Sequence, residues 1–385
     1  MQTYAELRKE NNLETNQIYT IVNSINTQTM GGNLVVTDTS SLVAMGDSVL
    51  SSSTNVENFV GVLTQLIAKT IVSYRPYKNK FADFVKTDFE FGAIIRKVKV
   101  AMPEANESKV YDLEDDVAVD QQIVRKAKAK QKLFVKRTPY EFSVTIQEVT
   151  LKEAFQSAEA MAEFISAIFG EVSNKIELTL ENLGRLCLAN FIANVKEAQT
   201  IHLITEFKEV KNITEEYTVN DAMYDEQFLR FAIGRMNYFS KRLEELSTKY
   251  NGEEETRHTP LERQFFITNL DFDTQMATQV QYGAFHENYV SKASNLTVGY
   301  WQSAESGKEM SIDVNITNGE GTTEVKKDNI VACIFDRDAL GTYRKDSRTR
   351  TAPYNARGEY VNTFFHELQL WFNDLSENFI LFTLD

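Results

Sequence analysis

An α+β fold is predicted by three features of this 385-residue chain. Two neighbouring stretches alternate apolar and polar residues, one helical stripe runs on far beyond ordinary length, and three short runs late in the sequence are almost wholly apolar. With 42% of its residues hydrophobic, the chain can bury a large core, as one elaborate domain or as two to three ordinary ones.

The first alternation starts near Ala93. Ile94, Val98, Val100 and Met102 fall on one face and Ile95, Lys97 and Lys99 on the other, which reads as a half-buried strand. The second, from Leu133 to Ile146, sets Tyr140, Phe142, Val144 and Ile146 against Glu141, Ser143 and Thr145. The two strands are expected to pair as a long hairpin with a long, mostly polar tip.

At Thr150 the period becomes helical, and Thr150 with Glu153 has capping-box spacing. Apolar residues then recur at Ala158, Met161, Ile165, Ile168, Val172, Ile176, Leu180, Leu183, Cys187 and Phe191. That stripe corresponds to about 57 Å of helix at roughly 1.5 Å per residue. Gly170 and Gly184 lie inside it, where a glycine costs roughly 1 kcal/mol relative to alanine, so a bend or close packing is expected at each.

A second amphipathic helix is marked by Phe228, Ala232, Met236, Phe239, Leu243 and Leu246. The runs at Phe265 to Ile267, Ile330 to Phe335 and Phe379 to Leu384 suit strands buried on both faces beneath helices. Between them, Tyr282 to Lys327 reads as loop-rich, and Tyr360 to Phe372 as a long strand. Ahead of all this, the first ninety residues read as an irregular arm. The arm has a short helix through Ile18, Ile21, Val22 and Ile25, a low-complexity Ser/Thr stretch from Thr37 to Thr54, and an apolar run from Phe59 to Ile71. Pro76, within Tyr74 to Tyr77, is expected to end a helix. So long an arm is hard to bury on its own subunit.

The formal charge of −14 argues against a protein whose main work is gripping phosphates. Cys187 and Cys333 lie far apart without CxxC spacing and read as two buried thiols in a reducing compartment. No apolar run approaches the length of a membrane span, so neither secretion nor membrane insertion is expected.

Phosphate-loop, dinucleotide-binding, HExxH and GxSxG patterns are absent, and no cofactor is expected. His366-Glu367 begins like a zinc motif, but Leu370 stands where the second histidine would be. Asp336-Arg337-Asp338 follows an apolar run, where α/β enzymes often hold carboxylates, and offers a cytosolic hydrolase as an alternative; the simpler reading is a strand-to-turn junction before Gly341. Asp271 and Asp273 are expected to cap the helix through Met276 rather than to bind a cation.

The hairpin tip segregates charge. Glu104, Glu107, Asp112, Glu114, Asp115, Asp116 and Asp120 come first, opposed by Lys109 alone. Arg125, Lys126, Lys128, Lys130, Lys132, Lys136 and Arg137 follow without an acid. Single exposed ion pairs contribute about 0–1 kcal/mol, but repeated around a ring of identical subunits they fix register, so the seven acids and the five basic residues from Arg125 to Lys132 are the candidate inter-subunit contacts. The basic half lacks the interleaved aromatics that would stack bases.

The order of arm, hairpin, long helix, α/β region and returning strand resembles the tailed-phage major capsid fold. In particular the chain resembles capsid proteins of short-tailed phages of the phi-twenty-nine type. The segments carrying the likeness are Ile21-Val22-Asn23, Phe59 to Arg75, Leu151-Lys152-Glu153-Ala154-Phe155 and Asn355-Ala356-Arg357-Gly358. The resemblance implies an N-terminal arm at 1–90, an E-loop hairpin at 91–146 and a P-domain with its spine helix at 147–200. An axial A-domain at 201–344 follows, with 345–385 supplying the return strand of the P-domain and a last strand of the A-domain.

The function implied is a major capsid protein that self-assembles into pentamers and hexamers of an icosahedral-type shell around phage double-stranded DNA, enclosed without sequence-specific binding. Its expected partners are further copies of itself, a separate scaffolding protein and a portal protein. Assembly is expected in the host bacterial cytoplasm and the final location is the virion capsid. Encapsulin compartments share this fold and form the alternative. Arm-like features begin almost at Met1 and the sequence ends at Asp385, which gives the expectations that no leader is removed by proteolysis and that there is no immunoglobulin-like extension.

Overall fold

The computed structural model describes residues 15–29, 31, 34–67, 79–82, 85–86, 95–100, 105, 108–111, 113–119, 122, 124, 126, 128–281, 294–302, 309–318 and 321–385. The expected helix stop at Pro76 and the apolar positions Ile94 and Met102 lie outside these residues.

Three helices open the described chain: α1 (Thr15–Thr29), α2 (Thr39–Leu50) and α3 (Ser53–Ile67). Of the region expected to be irregular, the described residues are therefore mostly helical, and much of that helical part is buried on its own subunit. Ile18, Val22 and Ile25 of α1, Leu42, Met45 and Val49 of α2, and Val56, Phe59, Val60 and Leu63 of α3 share one core. The Ser/Thr stretch hides a helix because its serines and threonines occupy the exposed side while Leu42, Met45 and Val49 keep the helical period. Asp38 starts it, accepting a 2.7 Å bond from Ser41 N, with the Ser41 hydroxyl returning the cap.

Next come β1 (Val85–Lys86), β2 (Ile95–Val100), β3 (Ala129–Phe134) and β4 (Arg137–Gln147). The expected hairpin exists but is shorter. β2 pairs with β3, from Ile95↔Phe134 to Val100↔Ala129, whereas β4 breaks away at Val135-Lys136. A second correction concerns which face is buried. Ile95, Lys97 and Lys99 turn toward the molecule, and Val98 and Val100 turn out.

Helices α4 (Glu148–Ala154), α5 (Ala158–Ile165) and α6 (Glu171–Ala193) follow. The expected capping box at Thr150 and Glu153 is not used, because α4 begins at Glu148 and both residues lie inside it. Ser157 caps α5 instead, accepting from Ala160 N at 3.1 Å. The spine is α5 joined to α6 through one π-turn, Ser166–Gly170, so the helical ladder is interrupted at the glycine where a bend or close packing was expected. At Gly184 the other expectation holds: a Cβ there would meet Phe81 at 3.1 Å.

The chain then forms β5 (Thr200–His202), α7 (Leu203–Lys211), α8 (Val219–Tyr224), α9 (Glu226–Arg242), β6 (Gln264–Asn269), α10 (Leu270–Gln281), β7 (Ser294–Val298), a hairpin of β8 (Ile312–Asn318) and β9 (Gly321–Lys327), β10 (Ile330–Asp336) and, later, β13 (Phe379–Thr383). The three apolar runs are β6, β10 and β13, every residue of them buried, in a five-stranded sheet ordered β5-β13-β10-β6-β7. Their alternate residues feed two cores. Phe266, Ile334 and Phe382 pack with Leu203, Phe228 and Met236 of the helices on one side. Phe265, Cys333 and Leu381 pack with Leu188, Phe191 and Ile192 of α6 on the other.

Four details differ from expectation. Leu246 lies past the end of α9 and is exposed, while Leu243 completes the buried stripe. The segment 282–327, expected to be loop-rich, contains β7, β8 and β9 among its described residues. Asn269, not Asp271 or Asp273, caps α10, its Oδ1 accepting from Asp271 N at 2.9 Å. Cys187 is buried as expected, yet its thiol lies 2.8 Å from Asn373 Oδ1 rather than among apolar atoms alone.

Finally β11 (Leu340–Thr351) and the expected long strand β12 (Tyr360–Asn373) run antiparallel and, with β1 and β4, make a four-stranded sheet ordered β1-β11-β12-β4. The inward face of β4, Phe142, Val144 and Ile146, joins Val361 and Phe365 against the N-terminal helices. The chain passes between the two sheets at two turns, Asp336 to Leu340 and Asn373 to Phe379. Those turns are tied together by Asp374 N donating to Ala339 O at 2.6 Å. No helix among the described residues is long and apolar enough to cross a membrane.

Candidate inter-subunit surface

The β2–β3 hairpin has two chemically opposite faces, because residues paired across strands share a side of the ribbon. On the inner side, Lys97 is opposite Lys132 and Lys99 opposite Lys130. Two like-charged cross-strand pairs are unfavourable unless other charges offset them. Here the turn after β12 does so. Lys97 reaches Asp374 at 2.6 Å and Glu377 at 2.7 Å, Lys99 reaches both at 3.0 Å, and Lys132 reaches Asp374 at 2.8 Å. A second acidic segment supplies Glu253 to Lys132 and Glu255 to Lys130, the latter at 2.8 Å. Buried Asn251 shapes that segment by bonding Glu255 N at 2.8 Å and donating to Glu255 O at 2.6 Å. Lys97 also donates to Asp338 O at 3.1 Å, so one side chain touches both inter-sheet turns.

Asp374 is the centre of this cluster, its side chain fully shielded from solvent. Burial pushes its carboxyl up, but the hydrogen bonds and charges of Lys132 and Lys97, with the Ser376 hydroxyl, outweigh burial and hold it well below the usual carboxylate range. Glu255 is held down in the same way by Lys130, Arg257 and Lys99 against partial burial. For Lys132, burial pulls the ammonium down while Asp374 and Glu253 raise it on balance.

The outer side carries Val98, Val100 and Leu133, which are 55%, 62% and 54% exposed. Beyond it the tip turns at Glu114–Val117, with Asp116 in the left-handed region at φ 64°. Of the twelve candidate contact residues, Glu104, Glu107, Asp112, Asp120 and Arg125 lie outside the described residues. Glu114, Asp115, Asp116, Lys126 and Lys128 are exposed, while Lys130 and Lys132 are engaged with Glu255, Glu253 and Asp374 of the same chain.

Reading the tip as mostly polar passed over its apolar members. Val110, Tyr111, Leu113, Val117 and Val124 all stand exposed, Tyr111 by 88%. Their signal was in the sequence, as apolar residues scattered through an acidic segment with no helical or strand period to bury them. Elsewhere, Asp336 and Asp338 are both bound by Arg263, at 3.2 Å and 2.5 Å, in a strand-to-turn junction. His366 lies 3.4 Å from Glu141, and no cluster of three or more metal-ligating side chains occurs among the described residues.

No curated protein matches the chain. Among solved structures it is similar to the capsid structure of Staphylococcus phage Andhra, with a TM-score of 0.54 and 12% identity over 81% of this chain and 85% of that one. It is also similar to a chain from the structure of the head fiber and inner core protein gp22 of native bacteriophage P68, with a TM-score of 0.51 and 12% identity over 81% and 86%. Identities this low show a common fold, that of phage capsid proteins. The family model described as Phi29-like phage major capsid protein matches residues 18–383, almost the whole chain. The chain therefore belongs to the Phi29-like phage major capsid protein family and is a structural subunit of a phage capsid shell.

Proposed function

We propose that the subunit forms hexamers and pentamers of an icosahedral-type shell around double-stranded DNA, and that the hairpin is the element that meets a second copy. The observation that carries this is the hairpin's outer face and tip, where apolar side chains stand in solvent beside exposed Glu114, Asp115, Asp116, Lys126 and Lys128. A patch of this composition on a single chain favours burial against a partner. The role is structural rather than catalytic: the carboxylates that a hydrolase would need, Asp336 and Asp338, are committed to Arg263.

In this reading residues 1–90 act as the arm, 91–146 as the E-loop hairpin, 147–200 as the spine-bearing P-domain and 201–344 as the A-domain, with 345–385 returning through both. A scaffolding protein guides curvature, because five- and six-fold rings of one subunit use similar lateral contacts. A portal protein occupies one vertex, the DNA is enclosed without sequence-specific binding, and assembly takes place in the cytoplasm of the host bacterium.

The test is negative-stain microscopy of the expressed chain and of two charge-reversed variants, Asp115→Lys with Asp116→Lys and Lys126→Glu with Lys128→Glu. Shells, sheets or tubes are expected from the parent and a reduced yield from each variant, with folded monomers throughout. Normal assembly and unchanged salt dependence in both variants would sink the assignment of the tip.

A further inference from the structure

We infer that the β2–β3 hairpin is a latched lever: it is held on its own subunit by three lysines, Lys97, Lys99 and Lys132, clamped to the joint between the two sheets, and it leaves that joint as a unit. This rests on the shell-subunit reading and adds how the contact element is held. Among the described residues the hairpin forms a two-stranded sheet of its own and shares no strand pairing with the four- or five-stranded sheet. A two-stranded ribbon by itself is marginal in water, so its pose depends on what it docks against. Its apolar anchorage is small, with Ile95 and Phe134 against Tyr343, Leu370 and Phe372.

What remains is the ionic contact. Asp374 takes lysines from both strands, Lys97 and Lys99 from β2 and Lys132 from β3, so one carboxylate ties the whole width of the ribbon. Lys99 also donates to Ser376, and Glu377 accepts from both β2 lysines. Both sheets are complete without the hairpin, so losing these bonds frees the ribbon while leaving the cores packed. The latched pose sets the direction in which Val98, Val100 and Leu133 face a neighbour, and the latch thereby positions the contact without being part of it.

The test is amide hydrogen exchange, read by mass spectrometry, on the full-length chain. Two variants attack the latch from opposite sides. Asp374→Asn removes the charge while its amide oxygen can still accept from Ser376, which bonds Asp374 at 2.7 Å in the parent. Lys97→Met with Lys99→Met removes the charge from the hairpin, outside the three larger cores. In both, amides of β2 and β3 are expected to exchange about tenfold faster or more, with those of β10 and β13 unchanged.

Unchanged hairpin protection in both variants overturns the inference. So does a loss of protection spread equally over hairpin and sheets in the lysine variant, which would make the contact part of the general fold. Should Asp374→Asn unfold the chain, the lysine variant decides. Microscopy of the parent chain separates the two readings, since a failure to form any assembly counts against the shell proposal while the exchange pattern still tests the latch.

Discussion

At the best-buried ion pairs among the described residues charge is shared, and the cost of unsharing it is the clearest measure of what single residues contribute. Besides Asp374, the main instance is Arg185 with Glu181, each side chain only 1% exposed and 2.7 Å apart, one turn from each other on α6. The guanidinium lies 4.1 Å from the Tyr300 ring centroid and 5.1 Å from that of Phe81, and donates to Tyr300 O. Glu181 in turn accepts from Lys80 N at 3.1 Å. The pair thus pins the segment at Phe81 and the strand end at Tyr300 to the spine. Glu181→Gln keeps the shape but strands a buried cation, and is expected to destabilise the subunit by about 3–5 kcal/mol in urea unfolding. A loss under about 1 kcal/mol would mean that water or another acid takes over the arginine.

Glycines on the helices show how an element's neighbourhood, not its propensity, sets the result of a substitution. Gly46 of α2 sits against Phe155, whose Cβ would lie 2.6 Å from an added methyl group. Gly234 of α9 has nothing within 4 Å of that position. Both replacements by alanine gain helix propensity of up to about 1 kcal/mol. Gly234→Ala should therefore raise the unfolding midpoint. Gly46→Ala should lower it, at a cost of about 1–3 kcal/mol in stability, because Phe155 belongs to the core that binds α1, α2 and α3 to β4 and cannot withdraw without opening it. Equal shifts for the two variants in thermal denaturation would disprove the close packing of α2.

At the scale of the whole molecule, the two sheets, the spine and the N-terminal helices bury most of the strong apolar periods among the described residues, and the hairpin with its tip gathers many of the apolar side chains that stay exposed. Val98 and Val100 make no core contact in the subunit, so Val98→Glu with Val100→Glu should leave monomer stability within about 0.5 kcal/mol of the parent. If that face is covered in the shell, the same variant buries two unpaired carboxylates per subunit and shell yield should collapse. Normal shells from this variant, seen by electron microscopy, would place the interface elsewhere.

How much of this was legible in the sequence follows from the range over which each signal acts. The long stripe from Ala158 to Phe191, the alternation at Tyr140 to Ile146 and the all-buried runs at β6, β10 and β13 are local periods, and local periods state which face must be hidden. The order of those elements was enough to suggest the family. The sequence could not say what would hide each face. β4 reads as the partner of β2 because it is near in the chain, yet it pairs with β12, more than two hundred residues away, as Ile146↔Val361 shows. The Ser/Thr stretch became a helix only because the core beneath it accepts Leu42, Met45 and Val49. The hairpin reversed its faces for the same reason: alternation marks Val98 and Val100 as the inner side, but Asp374 and Glu377 offer Lys97 and Lys99 more than solvent does. Periodicity was thus readable from neighbours a few residues apart, whereas pairing, docking and the direction of the hairpin depended on groups that only the folded chain brings together.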